Sequence, residues 1–259
     1  GPGRSHHLRS AAIGATMRNQ TLVVLAIVGA LVIGIYNATV PHLPALGRQP
    51  QIEPNWAAIS AWPGIQAESV EAQPDPNRLI AAIVLDDSGS MSADIDAAKT
   101  AVIGALDAMS DRDRVAVLAL NAGTILPFTT VAEARSMLPN LLQPIRSDGS
   151  TPLTGAIRTA QTLLGQEAAM VRGFGSFRLI VTTDGQADDD AALNAEIEQL
   201  AARTPIQVTT IGIGISGNHV LRRKALGSFV DVSDVSALQQ ALQAAVAENS
   251  AFDAITNFD

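Results

Sequence analysis

Short apolar runs closed by small polar residues recur between residues 78 and 249. Four of them, at residues 79–85, 114–121, 176–183 and 206–213, have the length and the flanking residues of buried strands. Segments with apolar residues at helical spacing lie between these runs. The alternation predicts an α/β domain over residues 78–249, in which helices cross over between the strands of one sheet.

Shorter signals complete the predicted order of elements. Residues 124–129 and 229–232 resemble two further strands, which brings the predicted sheet to six strands, and Gly123 indicates a hairpin between the second and the third. Helices are predicted at residues 94–109, 131–142, 152–164, 189–203, 219–226 and 235–248.

A long uncharged apolar segment occupies residues 21–40. Its twenty residues, if helical, rise about 30 Å, which matches the core of a bilayer. This length favours one uncleaved transmembrane anchor over a cleaved signal peptide, because no good small-x-small cleavage site follows. Arg4, Arg9 and Arg18 precede the segment and Arg48 follows it, so the positive-inside rule predicts a cytoplasmic N-terminus and an external domain.

Three stretches flank the predicted anchor and domain. Residues 1–20 are expected to be a cytoplasmic segment or a remnant of cloning, since no initiating Met opens them. Residues 41–77 contain seven prolines, which predict a semi-extended linker. Residues 250–259 are expected to be a C-terminal tail, either frayed or, through Phe252 and Phe258, a docking peptide.

Both tryptophans of the chain, Trp56 and Trp62, lie in the predicted linker. Exposed aromatic surface is unfavourable in water, so a free linker rarely carries two of them. Two interpretations follow. The rings pack back on the domain, or they contact a partner or lipid headgroups.

Composition excludes several classes of function. The net charge of −8 and the low pI argue against a nucleic-acid partner, which would need a basic face. Aromatic residues make up only 3% of the chain, so platforms for stacking bases are not expected either. The absence of cysteine rules out disulfides, thiolate metal sites and cysteine nucleophiles.

The run at residues 79–85 ends in a cluster of oxygen-bearing side chains. Asp86, Ser88 and Ser90 alternate along the loop, and Gly89 lets the backbone curl so that all three turn inward. Such ligands suit a hard divalent cation, Mg²⁺ or Mn²⁺, better than Zn²⁺ or Cu²⁺. Taken alone, the pattern also suits a helix N-cap loop. Three residues are too few for a six-coordinate ion, so further ligands are expected elsewhere.

Two later segments supply candidates for those ligands, and together with the first loop they form a recognisable set. The chain resembles a von Willebrand factor A domain with a metal-ion-dependent adhesion site in three motifs: DDSGSM (86–91), STPLTGAI (150–157) and VTTDG (181–185). The resemblance covers about residues 78–249. It implies the doubly wound, mostly parallel six-stranded sheet of that family, flanked by helices.

The resemblance also implies a ligand set. In that family the serines of the first motif and the threonine of the second bind the metal directly, and the first and last aspartates bind it directly or through water. Carried over by position, the metal residues are Asp86, Ser88, Ser90, Thr151 and Asp184. The expected ion is Mg²⁺, with Mn²⁺ or Ca²⁺ as alternatives, and a partner's Asp or Glu carboxylate is expected to complete its coordination.

Two other features suggest different chemistry but receive little support. Residues 212–217 match the GxGxxG dinucleotide fingerprint, yet that fingerprint belongs to a first βα unit and this one follows a late strand. His219 is the only histidine after the linker, and there is no GxSxG motif, so a Ser-His-Asp hydrolase is not favoured. His219 is expected at the surface, and Asp87 is expected to be solvated.

The sequence therefore predicts a membrane-anchored binding module, not an enzyme, that holds an acidic residue of a protein partner. Resemblance implies bacterial relatives in adhesion, envelope assembly or metalloenzyme maturation, often beside AAA+ ATPases of the MoxR type. The expected location is the inner (plasma) membrane, with the domain periplasmic or extracellular. An alternative is a structural subunit of a larger membrane complex with a vestigial or accessory metal site. A metal-assisted hydrolase is a third hypothesis.

Overall fold

Six strands form one sheet in the residues that the computed structural model describes, 52–223 and 227–247. They are β1 (Leu79–Leu85), β2 (Arg114–Ala119), β3 (Gly123–Thr130), β4 (Ser176–Thr183), β5 (Gln207–Ile213) and β6 (Ser228–Val232). Their order across the sheet is β3-β2-β1-β4-β5-β6, and all neighbours are parallel except the antiparallel pair β2 and β3. The predicted mostly parallel six-stranded sheet is confirmed.

Helices cover both faces of this sheet. In chain order the helices are α1 (Trp56–Ala61), α2 (Ile95–Ala105), α3 (Val131–Leu142), α4 (Leu153–Met170), α5 (Asp190–Arg203) and α6 (Leu238–Ala247). Helix α1 has no buried residue, and the other five cover the sheet. One apolar cluster joins the sheet to α2, α3 and α6, and a second joins it to α4 and α5. Because both faces are covered, β1 and β4 are buried along almost their whole length, which explains the continuous apolar sequence of β1 and the apolar run 179–181 in β4.

The predicted helices 152–164 and 219–226 differ most in extent from the observed structure. Helix α4 continues to Met170, six residues beyond the predicted end at residue 164. The buried Glu167 interrupts the apolar pattern there, but its carboxylate pairs with Arg114 at 2.6 Å, so the helix continues at no cost in unpaired charge. Of the predicted helix 219–226, the structure describes a 3₁₀ turn, Val220–Arg222, and residues 224–226 lie outside the described part.

The described part of the proline-rich stretch packs against the domain. Trp62 meets Phe177 of β4 edge-on, with ring centroids 4.9 Å apart, whereas Trp56 is 70% exposed. The backbone N–H of Asn55 also donates to the carbonyl of Ala202, at the end of α5, at 2.7 Å. The interpretation that the tryptophans pack back on the domain therefore holds for Trp62 and not for Trp56.

Among the described residues, no helix combines the length and the apolar content that crossing a bilayer requires. The predicted anchor at residues 21–40 lies outside the described residues, as do residues 1–20 and the tail at 250–259.

Candidate metal centre

The candidate site lies where the carboxyl ends of β1 and β4 meet. Val84 and Val181 are register partners in this parallel pair, and Asp86 and Asp184 directly follow the two strands. β1 and β4 are also the strands between which the winding of the sheet reverses, because β2 lies on one side of them and β5 on the other. Open α/β sheets bind ligands in the crevice at such a position.

Asp86 joins the two strand-end loops. Its carboxylate is fully buried, and its Oδ1 accepts a hydrogen bond from the backbone N–H of Ser88 at 2.9 Å. Its Oδ2 accepts one from the backbone N–H of Asp184 at 3.1 Å. Because both carboxylate oxygens have backbone hydrogen-bond donors, this buried polar group is not left unsatisfied.

Thr182 fixes the backbone from which Asp86 projects. Its hydroxyl donates to the carbonyl of Val84 at 3.1 Å and accepts from the backbone N–H of Asp86 at 3.1 Å. This threonine is fully buried beside the β1–β4 pair. The buried side chains thus determine where the first aspartate leaves the sheet.

The hydroxyls of Ser88 and Ser90 form a chain of hydrogen bonds that ends at the carboxylate of Asp184. Ser90 Oγ donates to Asp184 Oδ1 at 2.8 Å, and Ser88 Oγ lies 3.0 Å from Ser90 Oγ. Since a hydroxyl has one proton and Ser90 gives its own to Asp184, Ser88 is the donor in the second bond. Four of the five predicted ligands, Asp86, Ser88, Ser90 and Asp184, therefore form one hydrogen-bonded group.

Thr151 stands beside this group on a separate loop. Asp188 holds it, since the Oδ1 of Asp188 accepts from the backbone N–H of Thr151 at 2.9 Å and its Oδ2 accepts from Ser150 Oγ at 2.6 Å. The backbone N–H of Asp188 also donates to the carbonyl of Thr151 at 3.1 Å. The loop meets the first motif directly where the N–H of Gly89 donates to the carbonyl of Gly149 at 3.1 Å.

Asp188 is a residue that the motif comparison missed. A signal for it exists in the run of three aspartates, Asp188 to Asp190, that leads into the first turn of α5. Asp189 caps that helix by accepting from the backbone N–H of Ala192 at 2.9 Å. The sequence alone does not show which of the three carboxylates turns back to the Thr151 loop.

The expectation that Asp87 is solvated is wrong. Its side chain is 1% exposed, and its carboxylate accepts from the backbone N–H groups of Asn121 and Ala122 at 2.7 and 3.0 Å. These donors lie in the turn between β2 and β3, where the backbone would otherwise lack partners. Asp87 therefore anchors the neighbouring hairpin, and Asn121 Nδ2 extends the link by donating to the carbonyl of Ser150 at 2.9 Å.

The expectation that His219 lies at the surface is also wrong. This side chain is 5% exposed and packs against the ring of Phe229, with centroids 5.8 Å apart. Its Nε2 lies 3.0 Å from the carbonyl of Gly185, the residue that follows Asp184. A lone histidine in the sequence gives no signal for this contact.

Two of these groups titrate away from their ordinary ranges. Burial raises the pKa of Asp184, and the nearby negative charge of Asp86 acts in the same direction, whereas the hydrogen bond from Ser90 lowers it. Burial lowers the pKa of His219, partly offset by its hydrogen bond with Gly185 and by the charge of Asp190. Burial disfavours the charged form in both cases, so Asp184 is harder to ionise and His219 is harder to protonate.

The glycines at residues 212–217 have structural roles. A Cβ on Gly212 would lie 2.7 Å from the ring of Phe229, so only glycine leaves room for that ring against β5. Gly214 and Gly217 have φ angles of +62° and +95°, which side-chain-bearing residues rarely adopt. The resemblance to a dinucleotide fingerprint thus reflects packing and turns after β5.

The donor set fits a hard divalent cation. Among the described residues, no three His, Cys, Asp or Glu side chains lie close enough together to hold a metal. Carboxylate and hydroxyl oxygens of Asp86, Ser88, Ser90 and Asp184 do converge, and oxygen ligands are those that Mg²⁺, Mn²⁺ and Ca²⁺ prefer. Neutral hydroxyls would leave much of the charge of a bound cation uncompensated and available to an incoming anion.

Comparison with known proteins matches the part of the chain that contains the sheet and the candidate metal centre. The pattern of the von Willebrand factor type A domain family matches residues 82–244. No curated protein matches the chain.

Solved structures share the fold at low sequence identity. A von Willebrand factor type A protein from Catenulispora acidiphila is 21% identical, with a TM-score of 0.54, and the match covers 66% of this chain and 42% of that one. Proximal thread matrix protein 1 from the mussel byssus, with a zinc-occupied MIDAS motif, is 17% identical, with a TM-score of 0.55 and coverage of 68% and 48%. The pilus adhesin SpaC from Lactobacillus rhamnosus GG is 14% identical, with a TM-score of 0.51 and coverage of 68% and 30%. The match thus spans less than half the length of each of these proteins.

Proposed function

Because the chain belongs to the von Willebrand factor type A domain family, we propose that it binds a protein partner through a divalent cation at the β1–β4 crevice. Asp86, Ser88, Ser90, Thr151 and Asp184 hold Mg²⁺ in this proposal, with Mn²⁺ or Ca²⁺ as alternatives. An Asp or Glu carboxylate of the partner completes the coordination.

One observation carries the proposal. The oxygens of Ser88, Ser90 and Asp184 form a continuous chain at 3.0 and 2.8 Å, and the buried Asp86 ties both of its ends to the sheet. Such a group is preorganised for one cation, because the backbone bonds that hold it do not depend on the metal. Zinc in the MIDAS motif of the mussel thread protein supports a divalent cation on this fold.

The chemistry favours binding rather than catalysis. A metal held by hydroxyls and carboxylates offers a position for an anion, which is what recognition of a partner's carboxylate requires. His219, the one histidine of the domain, directs its ring at a backbone carbonyl and at a backbone N–H, so it is engaged structurally. We therefore infer a binding module and not an enzyme.

Membrane anchoring is the second part of the proposal. The uncharged segment at residues 21–40 has the length of a bilayer-spanning helix, and the arginines before it favour a cytoplasmic N-terminus by the positive-inside rule. The domain then projects from the inner membrane on the periplasmic or extracellular side. The partners that we propose for a domain in this location are subunits of a multi-subunit membrane complex or of a system with a MoxR-type AAA+ ATPase.

The competing function is that of a structural subunit with a vestigial or accessory metal site. The exposed Trp56 favours it, since a large aromatic ring at 70% exposure is a typical contact for another protein. In that case the complex would assemble equally well without metal.

The two functions differ in one experiment. The full chain, solubilised from the membrane, is used to capture partners in Mg²⁺ and in EDTA, with Ser90→Ala and Trp56→Ala as parallel variants. A partner retained only with metal and with Ser90 intact supports the adhesion-site function. A partner retained in EDTA and by Ser90→Ala, but lost with Trp56→Ala, would instead establish the structural subunit.

A further inference from the structure

The connection between β5 and β6 reaches across to the candidate metal centre. His219 in that connection contacts the carbonyl of Gly185, and Asn218 beside it accepts a hydrogen bond from Gln186 Nε2 at 2.9 Å. Gly185 and Gln186 are the two residues that follow Asp184. Two adjacent residues of one loop are thus bonded to two adjacent residues of the other.

The hydrogen bonds of His219 determine its protonation. Its Nδ1 accepts from the backbone N–H of Leu221 at 3.1 Å, so this nitrogen carries a lone pair. The carbonyl of Gly185 can only accept, so Nε2 must carry the proton and donate to it. Both contacts require the same neutral tautomer, and neither leaves the ring free to rotate.

The ring is also confined by packing. Phe229 of β6 lies against it, and Phe229 in turn is held between Gly212 and the guanidinium of Arg222, which stands 4.2 Å from the ring centroid. Arg222 pairs with Asp231 at 2.7 Å. The imidazole is therefore part of a packed cluster of side chains, with Phe229 and Arg222, beside the loop after β4.

The Gly185 carbonyl that His219 contacts also accepts a hydrogen bond from Thr183 Oγ1 at 3.1 Å. On the other side of the same peptide segment, the N–H of Asp184 is bound to Asp86. The backbone of Asp184 is thereby fixed on both sides, and its carboxylate meets Ser90. Without the contact from His219, the Gly185 side would be held only by its local hydrogen bonds with Thr183.

We propose that His219 is a positioning residue for the metal centre, which holds the Gly185 carbonyl so that the Asp184 carboxylate stays directed at Ser90. The proposal rests on the metal-binding function proposed above. It makes the β5–β6 connection a part of the site, although none of its side chains is a ligand.

Two substitutions separate the two hydrogen bonds of the ring. His219→Gln can place an amide N–H near the position of Nε2 and so donate to Gly185, at the expense of the Leu221 contact. His219→Asn can accept from Leu221 with its shorter side chain but cannot reach Gly185. The Mg²⁺ affinity of the full chain is measured for both variants by calorimetry, and amide hydrogen exchange at residues 184–186 is measured in EDTA.

We expect His219→Asn to weaken Mg²⁺ binding by about tenfold, as removing an outer-shell partner of a metal ligand commonly does. We expect it also to speed exchange at residues 184–186, whereas His219→Gln stays close to wild type in both respects. Equal losses in the two variants, or wild-type affinity and exchange in His219→Asn, would overturn the proposal.

A measurement on the wild-type chain covers the case in which His219→Asn does not fold. Ring nitrogen NMR reports which nitrogen carries the proton, and the His219 signals are assigned by their absence in His219→Gln. A proton on Nε2 supports the proposal, and one on Nδ1 contradicts it. If wild type binds no Mg²⁺, the proposed function fails, while exchange in EDTA still tests whether His219 holds the loop.

Discussion

The hydroxyl of Ser90 donates to the carboxylate of Asp184 at 2.8 Å, although the two residues are 94 positions apart in the chain. One follows β1 and the other follows β4. Their meeting depends on the neighbouring positions of these parallel strands at the centre of the sheet. The bond marks where the metal is expected, because a cation would compete for the same oxygens.

Substitutions of Ser90 and Asp86 should affect metal binding alike but stability differently. Ser90→Ala removes an exposed hydroxyl that is a proposed metal ligand, so we expect stabilisation by Mg²⁺ to be lost. In the absence of metal, we expect the free energy of unfolding to fall by about 1 kcal/mol or less. Asp86→Ala leaves the N–H groups of Ser88 and Asp184 without their acceptor, at a cost of about 1–3 kcal/mol for each that stays buried.

Urea unfolding in EDTA and in Mg²⁺ measures both effects for Ser90→Ala and Asp86→Ala. Thr159→Ala serves as the control, because its exposed hydroxyl bonds within α4, to the carbonyl of Gly155. If Ser90→Ala kept the full Mg²⁺ stabilisation, Ser90 would not be a ligand.

Asp184 should destabilise the metal-free protein at neutral pH. Burial raises the pKa of Asp184 in the folded state. The stability linked to its protonation is therefore complete below the pKa of the unfolded state and is lost as the pH rises through the higher pKa of the folded state. We expect Asp184→Asn to be more stable than wild type at pH 7 in EDTA and to be insensitive to Mg²⁺. The difference should disappear in acid, which urea unfolding across the acidic to neutral range would show.

Exposed carboxylates around the site should strengthen the binding of a cation. Asp188, Asp189 and Asp190 are all exposed beside the loop of Thr151. Since Asp188 holds that loop, the other two are the ones to neutralise. We expect Asp189→Asn with Asp190→Asn to lower Mg²⁺ affinity about threefold at low salt and less at high salt, because exposed charges are screened.

Calorimetry at two salt concentrations measures this effect. The matched control is Glu53→Gln with Asp107→Asn, which removes the same number of negative charges at positions away from the carboxyl ends of the strands. Glu53 is close in sequence to Asn55, which bonds to the C-terminal end of α5, and Asp107 lies in the turn after α2. An equal decrease in both double variants would show that only net charge matters.

Gly212 should not tolerate a side chain. Its Cβ would meet the ring of Phe229 at 2.7 Å, so we expect Gly212→Ala to destabilise the protein by about 1–3 kcal/mol through overpacking. Gly155 in α4 is the matched control, because a Cβ there meets nothing within 4 Å. Gly155→Ala should stabilise the helix by about 0.5–1 kcal/mol. Thermal or urea unfolding measures the stability of both variants. Equal stability of Gly212→Ala and Gly155→Ala would contradict the packing role of Gly212.

Local patterns predict much of this fold. The bounds of α3 and β4 agree with the predicted ranges 131–142 and 176–183, because periodicity and flanking polar residues are properties of adjacent residues. The three motifs also predict which residues meet at the crevice, and the structure joins Asp86, Ser88, Ser90 and Asp184. Their role as ligands remains a prediction for the experiments above.

What the sequence by itself determined, then, is the order of strands and helices and the oxygen-rich loops that follow β1 and β4. Only the tertiary structure decided which polar side chains bond to distant segments of the chain: the buried Asp87 supports the β2–β3 turn, the exposed Asp188 holds the loop of Thr151, and the buried His219 holds Gly185. In each pair the partners are 34 to 37 positions apart in the chain. The burial and hydrogen bonding of a side chain depend on such distant neighbours, which the alternation of polar and apolar residues around it does not encode.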